Sequence, residues 1–181
     1  MSTEAEHGQG HLHASDVPFR FCPRCGETLR PRRVKPGGAH LAACASCSFV
    51  HYQDPKVATG TLFTVDGGIV LVRRAIAPSY GKWVFPGGFV DKGERVEEAA
   101  IRETREEVNL DVKIDRLLNV YSYEDSAVVI IAYTARVIGG QLQAKDESLD
   151  AKAFTPAQIP WGELAFRSTQ DAIKEYIASY F

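Results

Sequence analysis

Beyond residue 54, apolar and polar residues alternate over short stretches in the way that β-strands require. Lys56–Val65 and Ile69–Arg73 are rich in β-branched residues, and the Asp66-Gly67-Gly68 turn signal between them predicts a hairpin. Four more strands are predicted, at Trp83–Val90 (interrupted by Pro86-Gly87-Gly88), Val112–Tyr123, Ala127–Val137 and Ala151–Phe154. A turn is predicted at Gly139-Gly140.

Two segments have helical periodicity instead. The first runs from Glu97 to Val108, and Asn109 is a suitable left-handed stop. The second runs from Ser168 to Tyr180, with Ser168 or Thr169 as its N-cap. The order of elements predicts an α/β fold of sandwich type, in which one helix interrupts a mixed sheet and another closes it.

The first helix carries an unusual concentration of charge. At about 100° per residue, three carboxylates share one sector of the helix: Glu103, Glu106 and Glu107. The opposite side is expected to hold the buried stripe, formed by Ile101 and Val108 with Thr104 beside them. Two interpretations remain open, a solvated face paired with arginines and a platform of hard oxygen ligands for Mg2+ or Mn2+.

Composition narrows the functional classes. The 181 residues are 45% apolar and carry a net charge of −2, which argues against mainly electrostatic binding of nucleic acid. The chain has no run of 18 apolar residues, so no membrane span is predicted. Residues 1–17 are polar and are predicted to be a disordered tail, whose three histidines offer at most a loose metal site. We expect a cytoplasmic location.

All four cysteines lie between residues 22 and 47, in two C-x2-C pairs: Cys22, Cys25, Cys44 and Cys47. This spacing predicts a zinc ribbon over residues 18–54, with four thiolates around a structural ion. Two disulfides are the alternative, which a cytoplasmic location disfavours. The ribbon is also basic, which is typical of a solvated face and compatible with a phosphate contact.

The segment that starts at Gly88 reads G-FVDKG-E-RVEEAAI-RETREE-V-NL and resembles the Nudix box, G-x5-E-x7-R-E-U-x-E-E-x-G-U, where U is a bulky apolar residue. Two positions depart from it. Thr104 occupies the first apolar position, and Asn109 replaces the last glycine. Asparagine tolerates the left-handed conformation better than most residues, so the chemistry of the box is expected to survive.

The resemblance implies a Nudix domain at residues 55–181, an α/β/α sandwich around a mixed sheet that hydrolyses a nucleoside diphosphate linked to another moiety. The implied ligands of Mg2+ or Mn2+ are Glu103, Glu107, Glu106 (directly or through water) and the Gly88 carbonyl. Arg102 is implied to orient Glu103, and Glu94 to support the geometry between loop and helix. The catalytic residues are expected to be Arg102, Glu103 and Glu106 of the box together with Glu147 downstream of it.

Residues outside the box are expected to complete the site. In many Nudix relatives the general base lies about forty residues downstream, which makes Glu147 the candidate for base or third-metal ligand, with Asp146 and Glu124 as alternatives. Arg73 and Arg74 are candidates for phosphate contacts or for a surface strand. Aromatic candidates for a base platform, each also a candidate for the core, are Tyr80, Trp83, Phe85, Tyr121 and Tyr123.

A ribbon ahead of the box is similar to bacterial NADH pyrophosphatases, but the chain has no proline between Pro86 and Pro156 and lacks their SQPWPFPxS-like motif. Over Phe21 to Tyr180, the chain resembles the plant FAD and ADP-ribose pyrophosphatases and their bacterial relatives. The segments that carry this resemblance are CPRCG, FVHYQDPK, APSYGKWVFPGGFVDKGE, ESLDAKAF and IPWGELAFRS.

We therefore expect cleavage of the pyrophosphate of FAD, ADP-ribose or a similar dinucleotide to release AMP. The alternatives are hydrolysis of an oxidised nucleoside triphosphate and a nucleotide-sensing or RNA-binding regulator that uses the ribbon. The expected partner is a small nucleotide, with no membrane, and dimers are frequent in the family.

Overall fold

The fold is given by a computed structural model, which describes residues 19–180. The chain divides into two compact units, of which the first ends at Asp54 and the second begins at Pro55. Each unit has its own hydrophobic core. The predicted tail at residues 1–17 lies outside the described residues.

The first unit is a small antiparallel sheet of three strands, β1 (Leu29–Arg33), β2 (His40–Cys44) and β3 (Val50–His51), in the order β1-β2-β3. Its core is small and includes two of the cysteines, beside Leu29 and Ala42. So little buried apolar surface stabilises a unit of this size only weakly, and a bound metal is the usual additional support.

The second unit contains the remaining elements of the described chain. They are β4 (Lys56–Leu62), β5 (Thr64–Val65), β6 (Gly68–Arg74), β7 (Trp83–Val84), β8 (Gly87–Phe89), α1 (Val96–Val108), β9 (Leu110–Tyr121), β10 (Val128–Gly140), β11 (Ser148–Phe154) and α2 (Arg167–Tyr180), with 3-10 turns at Pro156–Gln158 and Trp161–Glu163. The predicted strand Lys56–Val65 is thus interrupted at Phe63, which is fully buried.

The strands form two sheets. The first has the order β8-β4-β10-β9 and is mixed, since β10 runs parallel to β4 and antiparallel to β9. The second has the order β11-β6-β5, and β7 pairs with β6. The predicted hairpin is present, because β5 and β6 pair antiparallel around the turn at Asp66 and Gly67.

Strand β6 shows how the layers are built. Alternate residues on a strand point to opposite faces. Ile69 and Leu71 pack in a core with Ile173 of α2, whereas Val70 and Val72 pack in a second core with Val108 of α1. One helix therefore covers each side, and the predicted α/β/α sandwich around a mixed sheet is confirmed.

Two predicted local features are wrong. Gly139 and Gly140 do not form a turn but end β10, where Gly140 pairs with Leu110. A side chain at Gly140 would clash with the Asn109 carbonyl oxygen, so close backbone approach explains this glycine.

The N-cap of α2 is the second correction. This helix begins at Arg167, so Ser168 and Thr169 lie inside its first turn, where both are buried. The backbone carbonyl of Phe166 accepts the N–H groups of Thr169 and Gln170 instead.

The buried stripe of α1 also differs from the prediction. Ile101 is 37% exposed, while Thr104 is fully buried. The Thr104 hydroxyl donates to the Ala100 carbonyl at 2.7 Å and lies 2.6 Å from the Thr61 hydroxyl of β4. A hydroxyl with both partners can be buried at little cost, so the buried face rotates toward the acidic sector.

As a result, the acidic sector is not opposite the buried face but lies across its boundary. Glu107 is 9% exposed, whereas the Glu106 side chain is 49% exposed. With the Glu103 side chain 16% exposed, the three carboxylates of the acidic sector therefore occupy three different environments, from buried to solvent-accessible.

Candidate active site

Strand β8, the last strand before α1, brings backbone directly against two carboxylates of the helix. The predicted turn at Gly87 and Gly88 is wrong, since both residues lie in β8 and pair with β4. The N–H of Gly87 donates to Glu107 Oε2 at 2.8 Å. At Gly88, a Cβ atom would lie 2.5 Å from the carboxylate carbon of Glu103. Only glycine permits this approach, so the paired glycines of β8 place a backbone donor and the Gly88 backbone beside the acidic sector.

Arg102 is the cation that organises the carboxylates. Its Nε and Nη2 donate to the two oxygens of Glu94 at 2.8 and 2.9 Å, a bidentate pair between helix and loop. Its Nη1 donates to Glu103 at 2.7 Å and to Glu106 at 3.0 Å. These contacts fit the expected orienting role of Arg102 and the supporting role of Glu94.

The pKa values of this cluster follow from its contacts. The hydrogen bonds from Arg102 lower the pKa of Glu94 to about 2. Burial is the main cause that raises the pKa of Glu107 to about 8, although the Gly87 N–H opposes it. Burial also raises the pKa of Glu103, against the effect of Arg102. Crowded, partly buried carboxylates of this kind are typical of cation sites and of acid–base catalysis.

Glu147 lies just ahead of β11 and close enough to act on the cluster. Its charge is among the causes that raise the pKa of both Glu103 and Glu107. Its backbone carbonyl accepts the Ala75 N–H at 2.7 Å, which ties it to the end of β6. Of the three acidic candidates for the base, the structure therefore brings Glu147 to the box.

The two predicted phosphate contacts differ in position. Arg74 lowers the pKa of Glu107 by its charge, and its guanidinium lies 5.1 Å from the centre of the Phe166 ring. Arg73, one residue earlier on the strand, donates through Nε to the Gly81 carbonyl at 2.9 Å and braces the following loop. The structure thus places Arg74, and not Arg73, at the acidic cluster.

The aromatic candidates separate by exposure. Tyr80 is 65% exposed, whereas Trp83 and Phe85 are buried in the core that α2 covers. The hydroxyls of Tyr121 and Tyr123 donate to acidic side chains of α2. Of these five residues, Tyr80 alone is exposed, whereas Tyr123 is partly buried. The expected contact from Trp83 is not supported by its buried position.

Sequence reasoning missed the Gly87 N–H as a partner of Glu107. It assigned only the Gly88 carbonyl, although the two glycines are neighbours in β8. The contacts of the Asn109 side chain were also not predicted. The sequence signal that could have found them is an amide at the position where the box has glycine.

The four cysteines of the first unit form a compact cluster whose sulfurs all lie within 4.8 Å of one another. The Sγ atoms of Cys22 and Cys25 are 3.4 Å from that of Cys47, and all four thiols are free. Backbone N–H groups of Arg24 and Ser46 donate to two of the sulfurs at 3.4 Å. Four sulfurs at these separations with N–H donors around them fit a tetrahedral zinc ion.

Comparison with known families decides the identity of the second unit. The NUDIX domain family matches residues 54–176. The chain belongs to the Nudix family. The Nudix N-terminal family, a zinc ribbon, matches residues 20–53. The prediction of a ribbon-bearing Nudix pyrophosphohydrolase is therefore confirmed at the level of the family.

Individual relatives agree with this Nudix assignment. An ADP-ribose pyrophosphatase of Methanocaldococcus jannaschii is 39% identical over 130 residues, covering 70% of this chain and 75% of that protein. The NAD-capped RNA hydrolase NudC of Stutzerimonas stutzeri is 27% identical, and the chain spans 50% of its length. A Nudix hydrolase structure from Nitrosomonas europaea superposes with a TM-score of 0.81 at 35% identity, covering 90% of this chain and 92% of that one.

Across residues 19–180 the structure shows no helix long and apolar enough to cross a membrane.

Proposed function

We propose that this Nudix hydrolase uses divalent cations to cleave the pyrophosphate bond of a nucleoside diphosphate derivative, with ADP-ribose, FAD or a similar dinucleotide as substrate and AMP as a product. The observation that carries the proposal is the convergence of the α1 carboxylates, the glycines of β8 and Glu147 on one partly buried cluster. The ADP-ribose pyrophosphatase among the relatives supports ADP-ribose as the first substrate to test.

The donor set fits Mg2+ or Mn2+. Carboxylate and carbonyl oxygens are the ligands that these hard cations select. Glu103 and Glu107 are proposed as the principal ligands, with Glu106 and the Gly88 carbonyl as further ligands. When bound, the cation would neutralise pyrophosphate oxygens and lower the pKa of a water molecule.

The remaining residues have separate proposed tasks. Arg102 holds Glu103 and Glu106 through one nitrogen and so fixes the spacing between two ligands. Glu147 is proposed to accept the proton of the attacking water, since it lies beside the cluster without belonging to the helix. Arg74 would meet a substrate phosphate, and the exposed ring of Tyr80 would stack on a base. Zinc on the four cysteines is proposed to be structural, because four protein ligands leave no open position.

The experiment is a hydrolysis screen of the purified chain with Mg2+ or Mn2+ against ADP-ribose, FAD, NADH, diadenosine polyphosphates and 8-oxo-dGTP, with products identified by mass. We expect AMP from ADP-ribose or FAD. Glu107→Gln should lose activity and remain folded, whereas the matched control Glu98→Gln, on the exposed first turn of α1, should keep it.

Other outcomes of the screen would select the alternatives. Release of a nucleoside monophosphate from 8-oxo-dGTP alone would indicate a sanitising hydrolase. Absence of any hydrolysis, together with salt-dependent RNA binding, would refute the proposed enzymatic activity and favour the alternative of a nucleotide-sensing or RNA-binding regulator.

A further inference from the structure

The segment between β10 and β11 runs along the C-terminal end of α1. The N–H groups of Gln141, Gln143 and Lys145 donate to the carbonyls of Asn109, Val108 and Glu107 at 3.2, 3.1 and 3.0 Å respectively. The last carbonyls of a helix have no partner within the helix. Here three successive carbonyls at the helix end are satisfied by one extended strand-like segment, which fixes its register against the helix.

The Asn109 side chain joins the two ends of that segment. Its Nδ2 donates to the Gln141 carbonyl at 2.9 Å, and its Oδ1 accepts Lys145 Nζ at 2.8 Å. Asn109 itself is left-handed, with φ 57° and ψ 31°. The glycine that the Nudix box has at this position would supply the same backbone conformation but neither side-chain bond.

A tight turn then connects Lys145 to Glu147. The Ser148 N–H donates to the Lys145 carbonyl at 3.0 Å, and Asp146 within this turn has a positive φ of 46°. The Glu147 carbonyl accepts the Ala75 N–H at 2.7 Å. The backbone of Glu147 is thus held from both sides, by α1 through Lys145 and by the end of β6 through Ala75.

We propose that Asn109 and Lys145 are positioning residues that hold the Glu147 carboxylate at a fixed place relative to Glu103 and Glu107. The proposal rests on the proposed function, in which Glu147 acts on the attacking water. It explains why an amide stands where the box has glycine: the side chain links the helix that carries the cation ligands to the segment that carries the base.

The kinetic test uses Asn109→Gly and Lys145→Met. Asn109→Gly keeps the left-handed backbone and removes only the side-chain bonds, so folding is preserved. Each variant should lower kcat about tenfold with little change in KM, because a small misplacement of a catalytic group slows the chemical step. The double variant should be no slower than either single one, since both act through one linkage. Lys113→Met, which removes an exposed lysine of β9, is the matched control and should keep full activity.

A second comparison tests whether Asn109 affects kcat through Glu147. In the Glu147→Gln background, Asn109→Gly should cause no further loss of kcat, because the group that it positions is already disabled. A further tenfold loss there would show that Asn109 acts elsewhere and would overturn the proposal. Wild-type activity of Glu147→Gln would overturn it as well.

A measurement without substrate separates this inference from the proposed function. In the metal-free protein, Asn109→Gly should speed amide exchange at Lys145 and Ser148 about tenfold, while the core amides of α1 stay protected. Unchanged exchange at Lys145 would refute the linkage even in an active enzyme. If the wild type cleaves no substrate, faster exchange still supports the linkage, and only the catalytic reason for it fails.

Discussion

The buried carboxylate of Glu107 should make the stability of the metal-free protein fall as pH rises, and Glu107→Gln should remove that dependence. Burial in the folded state raises the pKa of Glu107 from its ordinary 4.5 to about 8. Between these pH values the unfolded chain releases the proton and the folded chain retains it. At about 1.4 kcal/mol per pH unit, the free energy of unfolding should fall by up to about 5 kcal/mol from pH 4.5 to 8.

The assay is urea unfolding at half-unit steps from pH 5 to pH 8.5, in buffer without Mg2+ or Mn2+. The informative quantity is the difference between the wild type and Glu107→Gln, because titrations of all other groups are largely common to both proteins. Glutamine is neutral and keeps an oxygen for the Gly87 N–H. The free energy of unfolding of the variant, relative to that of the wild type, should therefore rise with pH and reach a plateau above pH 8.

Addition of Mg2+ should reverse the trend in the wild type. A cation binds the ionised carboxylate, so the stabilisation by Mg2+ should grow as pH approaches 8 and be much smaller in Glu107→Gln, which keeps only the other proposed ligands. Parallel stability profiles of the two proteins without Mg2+ would refute the reasoning, since they would show that Glu107 titrates alike in the folded and unfolded chains.

Three further outcomes follow from single contacts. Thr104→Val should lower the free energy of unfolding by about 1–3 kcal/mol in urea, because it strands the buried Thr61 hydroxyl, and adding Thr61→Val should restore most of the loss. Gly88→Ala should lower kcat by about 100-fold, because the new methyl would displace the Glu103 carboxylate, which lies 2.5 Å away. Cys44→Ser should reduce the zinc content measured by mass spectrometry from about one ion per chain; unchanged content would contradict the four-sulfur site.

Local signals in the sequence were sufficient for the helix that carries the box. Its end at Asn109 and its acidic sector depend on residues within one stretch of chain, which the period of 3.6 and the chemistry of left-handed positions describe directly. The same holds for the hairpin around Asp66 and for the cysteine pairs. In each case the partner of a residue lies a few positions away.

Three of the errors share a different property, since each depends on a contact with a distant segment. Thr104 is buried because the Thr61 hydroxyl of β4 meets it, and no pattern on the helix alone shows this. The Gly139-Gly140 pair has the sequence signal of a turn, whereas the approach of the Asn109 carbonyl to Gly140 is a tertiary contact. An aromatic residue such as Trp83 beside a turn has the same sequence signal whether it faces a ligand or the core.

The charge concentrated in α1 now has a physical explanation that neither of the initial interpretations gave. Arg102 forms ion pairs with Glu94, Glu103 and Glu106, although one positive charge cannot balance all three carboxylates. Glu107 has no ion pair with Arg102, and Glu103 and Glu147 repel its charge, while the Gly87 N–H and the charge of Arg74 oppose the effect of its burial only in part. A proton near neutral pH or a cation would relieve this repulsion. In the proposed function, this buried carboxylate, and not the total number of acids, is what would favour a divalent ion at the helix.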